Sequence, residues 1–169
     1  MSTILVYDER LGGSPPWKEV SATCLVNENH QMVDIVSWLR KKCGKYKGKE
    51  TVYVMAHGAS GSIQLGKEGL HADNAHLWEP LRGTLHQIIV LACSTGGGNK
   101  GYWFCSKLAA TTKSYVTAAE STQIYFYLPL GLLSTTFGEW EGTINTWNPF
   151  GTWVARYTEP PADYSHITI

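Results

Sequence analysis

Apolar residues fall in short unbroken runs along the first 120 residues: Ile4–Tyr7 (ILVY), Val52–Ala56 (VYVMA), Gln87–Ala92 (QIIVLA) and Ser114–Ala118 (SYVTA). Runs without polar alternation mark strands covered on both faces. Between them, Met32, Val33, Ile35, Val36 and Leu39 recur at helical spacing, predicting a helix over Asn29–Lys42 that closes at Gly44. A second helical stretch is expected near Asn74–Gly83. A third is expected over Asn99–Thr111, with Trp103, Phe104 and Leu108 facing inward. Ser62–Leu65 reads as a short hairpin arm, and Leu11–Pro16 as a turn-rich departure from the sheet. Beyond Glu120 the pattern gives way to aromatic- and Gly-rich sequence, expected to form loops and short edge strands. Strands alternating with helices predict an α/β fold, a mostly parallel sheet with helices on both faces.

The 169 residues suit one domain, 1–169, with strand–helix units over 1–120 and an edge region over 121–169. An apolar share of 43% and a charged share of 17% exclude a disordered chain. Zero net charge argues against nucleic-acid binding. Lys41, Lys42, Lys45, Lys47 and Lys49 read as a cationic helix end and a solvated loop. The apolar start Ile4–Tyr7 is too short for a secretion-signal core. Ile124–Leu133, broken by Pro129 and Gly131, is too short for a membrane span. Cys24, Cys43, Cys93 and Cys105 are far apart without a C-x-x-C pair and read as reduced thiols. A cytoplasmic protein is the expectation.

In open parallel sheets, ligands bind beyond the carboxyl ends of the strands. The residues there are Asp8, His57-Gly58, Cys93 and Glu120. A cysteine attacks a carbonyl as its thiolate, and an adjacent imidazole favours that form and later protonates the leaving amine. The backbone N–H groups of Gly58 and Cys93 suit an oxyanion site. His57 and Cys93 end consecutive buried strands, 36 residues apart, so the two halves form one device.

VYVMAHG followed by IIVLACSTG resembles the paired signature of caspase-like cysteine peptidases, nearest to their bacterial CHAT-type branch. The intervening GSIQLG fits that branch, and Ile4–Asp8 fits the family's first strand. The resemblance implies a three-layer α/β/α domain with a central, mostly parallel sheet. It implies a cysteine endopeptidase that cleaves a protein or peptide substrate through a thioester, without a cofactor or metal. His57 would be the general acid and base, Cys93 the nucleophile, and the N–H groups of Gly58 and Cys93 the oxyanion hole. An activating or target protein partner is also implied. Caspases hold an acidic substrate residue with a glutamine two residues before the cysteine and an arginine at the end of strand 1. Those places are Leu91 and Asp8 here, so cleavage after aspartate is not expected. Asp8, Leu91 and Glu120 are the expected substrate pocket, with a basic side chain favoured by the two carboxylates and a small apolar one by Leu91.

Two other readings use the same residues. Ala92-Cys93-Ser94-Thr95-Gly96 has the spacing of a nucleophile elbow, so a serine hydrolase would use Ser94, with Asp163 and His166 completing a triad. A catalytically inert interaction module would present Trp140, Trp147 and Trp153 as a protein-binding surface. His71, Asp73 and His76 lack a second pair that would make a zinc set. Gly96–Gly101 lacks the order of a phosphate-binding loop and reads as a flexible turn beside Cys93.

Overall fold

The computed structural model describes residues 3–15, 20–43, 50–123, 125–127, 135–137 and 141–157. Gly44, Lys45, Lys47, Lys49, Trp140, Asp163, His166 and most of Ile124–Leu133 lie outside those residues. In chain order the elements are β1 (Thr3–Asp8), β2 (Ala22–Val26), α1 (Met32–Cys43), β3 (Glu50–Met55), β4 (Gly58–Ala59), β5 (Ser62–Ile63) and β6 (Leu70–His71). A 3-10 stretch, Ala75–Leu81, leads to β7 (Leu85–Leu91), α2 (Gly98–Thr112) and β8 (Tyr115–Ala119). Then come β9 (Tyr125–Tyr127), β10 (Thr135–Phe137), β11 (Ile144–Trp147) and β12 (Trp153–Tyr157).

Seven strands form the main sheet in the order β12-β11-β8-β7-β3-β1-β2. The pairs from β2 through β8 are parallel, and β11 and β12 add antiparallel edges. This is a mixed α/β domain around a large, mostly parallel sheet. Four of its strands are the unbroken apolar runs of the sequence. The edge strand β2 was not expected: Ala22–Val26 (ATCLV), with Thr23 as its one polar residue, is short and follows a Gly/Pro-rich turn.

Strand parity sorts the core into two faces. Ile4, Val6, Val52, Val54, Ile88 and Val90 point to one, and Leu5, Tyr7, Met55, Ile89 and Leu91 to the other. Both α-helices lie on the first face. Met32, Ile35, Val36 and Leu39 of α1 and Phe104 and Leu108 of α2 join that cluster, with Trp78 and Leu81 of the 3-10 stretch between them. The expectation of helices on both faces therefore fails among the described residues. The reason is the direction of the connections. The paths β2→β3, β3→β7 and β7→β8 all advance the same way across the sheet, so right-handed crossovers place them on one face. The β1→β2 connection runs the other way and crosses the second face. It carries Gly12, Gly13 and Pro15 in place of a helical period, so Leu11 and Val20 cover that face without an α-helix.

α2 differs from expectation in one side chain: Trp103 points outward, 62% exposed, while Phe104 and Leu108 are buried. Among the described residues, no helix is long and apolar enough to cross a membrane.

Candidate active site

The strand order reverses between β1 and β3, the kind of switch point beside which open parallel sheets bind ligands. His57 follows β3 and Cys93 follows β7. The pairing Met55↔Leu91 and the bond from Ala56 N–H to Leu91 O carry the register up to both residues. His57 is exposed and Cys93 is half-buried, so neither is sealed within the core.

The His57 loop and the Cys93 turn are pressed together, and glycine makes this possible. A Cβ on Gly58 would stand 2.6 Å from the Cys93 carbonyl oxygen and 2.9 Å from the Ala92 Cβ. A Cβ on Gly61, at φ +75°, would stand 2.7 Å from the Lys100 carbonyl oxygen. Gly61 N–H donates to Thr95 O at 3.1 Å, and Ser60 Oγ donates to Gly97 O at 2.5 Å. The small sheet β4-β5-β6 is thus docked on the turn that carries the thiol. Gly58→Ala is expected to cost about 1–3 kcal/mol through overpacking against backbone that cannot retreat. A melting midpoint several degrees lower would show it.

The His57 ring meets the backbone of Arg10. Its Nε2 lies 3.2 Å from the Arg10 carbonyl oxygen, so an Nε2–H donated there leaves Nδ1 as the proton acceptor. Arg10 is itself held by Asp8. The Asp8 carboxylate accepts from Arg10 N–H (3.1 Å), Nε (2.7 Å) and Nη2 (2.6 Å). Gly66 N–H also approaches it at 3.3 Å, and Arg10 Nη2 donates to Gly66 O at 2.9 Å. That pairing raises the Arg10 pKa above its ordinary value.

These contacts correct two expectations. Asp8 is fully buried, so it does not project over the cleft. It braces the turn that presents the Arg10 carbonyl to His57. Leu91 is also fully buried, within the second core face, because its parity points it away from any opening. Glu120, the third expected pocket residue, is partly exposed and lines a cavity.

Cys93 lies under the segment that follows β8. Its Sγ accepts from Gln123 N–H at 3.3 Å and faces Gln123 O at 3.5 Å. Gln123 is held by its own amide, which bonds Glu141 N–H and O and Ser121 O at 2.8–3.0 Å. Arg10, Gly61 and Gln123 were not singled out from the sequence. All three act through backbone atoms, which composition does not reveal.

The four thiols are free and unlike one another. Burial pushes Cys24 up to about 11 and Cys43 up to about 12, with Glu50 adding to the latter. Burial also raises Cys105 well above the usual thiol range. Iodoacetamide at neutral pH is therefore expected to modify Cys93 first in the native chain, and the other three only on unfolding. Peptide mapping by mass spectrometry reads the order.

The interaction-surface expectation changes as well. Trp147 is buried, edge-on to Tyr102, whereas Trp153 remains 44% exposed.

Residues 14–123 match the model of a protein family described as a domain of unknown function (DUF4347). The chain belongs to this family. The matched DUF4347 segment contains His57, Cys93, Glu120 and Gln123, and ends before β11 and β12. No curated protein matches the chain.

Proposed function

We propose that this chain is a cysteine endopeptidase of the caspase-like type, with Cys93 and His57 as its dyad. The observation that supports the reading is that the two residues follow adjacent parallel strands at one sheet edge, with the His57 ring held by the Arg10 carbonyl. A nucleophile, a base and a group that orients the base are the three parts this chemistry needs. On this reading the second outer layer of the caspase-like architecture is reduced to the helix-poor β1→β2 connection.

His57 Nδ1 takes the Cys93 thiol proton, and the thiolate adds to the scissile carbonyl, forming a C–S bond while negative charge moves to oxygen. The N–H groups of Gly58 and Cys93 receive that oxyanion. His57 gives a proton to the amine as the C–N bond breaks, leaving a thioester. It then takes a proton from water, which attacks the thioester and releases the acid and the thiol. A peptide-library cleavage screen of the chain beside Cys93→Ala tests this. Products made by the first and not the second support it, and no cleavage by either overturns it.

One observation favours the serine-hydrolase reading: Ser94 sits at φ +54°, the left-handed region that a nucleophile elbow uses. A fluorophosphonate probe that labels Ser94, with a thiol-directed acyl probe sparing Cys93, would decide for it.

A further inference from the structure

On the other side of the Cys93 turn from His57 lies a cavity of about 320 Å³. It is walled by Tyr102, Trp147 and Trp153 and bordered by Gly96 and Gly98. Ser94 N–H donates to Ser121 O and Gly96 N–H to Ala119 O, both at 2.8 Å, so the nucleophile turn is bonded to both neighbours of Glu120. The Glu120 carboxylate ends a directed chain of hydrogen bonds. Trp153 Nε1–H donates to Asn145 Oδ1 at 3.0 Å, and Asn145 Nδ2 donates to Glu120 Oε1 at 2.7 Å. Asn145 is buried, so its amide holds the carboxylate from beneath. Glu120 Oε2 meets Arg156 Nη2 at 3.5 Å, long for a charge-assisted bond, and the Arg156 side chain is 55% exposed.

Two opposite charges thus share the mouth of the cavity, one held and one loose. A solvent-exposed pair at this distance contributes little and is readily exchanged. The α2 N-terminus at Gly98 adds positive potential, but it is a partial charge at an exposed edge. When Arg156 turns outward, Glu120 is the formal charge left among the lining side chains. Aromatic faces around a fixed carboxylate suit a flat, delocalised cation, which stacks on indole and phenol rings and pairs through a planar fork.

We propose that this cavity takes an arginine side chain of a peptide substrate, paired with Glu120 between Tyr102 and Trp153, and that Arg156 is an intramolecular stand-in displaced by it. Lysine is the weaker occupant, because it offers a point charge without the fork. The word substrate rests on the peptidase reading; the pocket does not.

The test uses ¹⁵N-labelled Cys93→Ala protein, in which turnover plays no part. It is titrated with Nα-acetylarginine methylamide, the citrulline counterpart and Nα-acetylglutamate methylamide, following the Trp153 indole N–H resonance. Arginine is expected to bind at least about tenfold more tightly than uncharged citrulline, the effect of one charge-assisted bond. Glu120→Gln is expected to erase that preference, and Arg156→Ala to tighten arginine binding several-fold. Equal binding of arginine and citrulline overturns the proposal, as does no binding of any of the three at millimolar concentration. A preference for glutamate that Arg156→Ala removes would reveal an anion site and overturn it as well. If the titrations succeed while the cleavage screen fails, the peptidase reading falls and the pocket stands.

Discussion

Cys93→Ala is expected to lower peptide cleavage by at least about a thousandfold, the scale on which removal of a covalent nucleophile acts. The fold should be nearly unaffected. Cys93 is half-buried, and the polar contacts of its sulfur are to the backbone of Gln123, so losing it costs on the order of 1 kcal/mol. The melting midpoint should move by no more than a few degrees. Ser94→Ala is expected to keep substantial activity, since on this mechanism its hydroxyl forms no bond to the substrate. The pair of variants separates the two nucleophiles cleanly. Cleavage that survives Cys93→Ala and disappears with Ser94→Ala would transfer the chemistry to the serine.

Asp8→Ala is expected to have the largest effect on stability, about 3 kcal/mol, the lower end of the cost of breaking a buried charge pair. The lower end applies because the Arg10 side chain is 26% exposed and water can reach it once Asp8 is gone. The substitution removes the acceptor of three bonds from Arg10 and the neighbour of Gly66 N–H. A lower urea midpoint with unchanged denaturant slope is the expected signature. Cleavage should fall further than the folded fraction accounts for, because the Arg10 carbonyl that holds His57 loses its brace. If Asp8 were a pocket residue instead, the variant would alter substrate preference and leave stability alone. Measuring both quantities on one protein distinguishes the roles.

The strand runs were legible because a strand covered on both faces needs apolar residues at every position, whatever covers it. The helices α1 and α2 were legible to within a few residues because their buried stripes repeat at the helical period. The exception was Trp103: it sits next to buried Phe104 on α2, and the period alone did not reveal which of two adjacent aromatics faces the sheet. The short pieces were less legible. The five-residue edge strand β2 is placed by pairing along its whole length with β1, a long-range contact that no local period marks.

For the candidate site, the sequence by itself determined which chemistry-bearing residues stand at strand ends, because a residue following a buried run must emerge at the sheet's edge. His57, Cys93 and Glu120 follow from that rule alone. What only the tertiary structure decided is which of those side chains has a partner. Asp8 ends a strand as well, yet it is buried against an arginine two residues later, and that arginine's carbonyl reaches the histidine 47 residues on. Glu120 ends a strand and faces a cavity because residues of β11 and β12 fold back beside it. Parity along a strand is a local property, written in every second residue. Pairing between a carboxylate and its cation depends on where distant segments of chain arrive, and that is settled by packing.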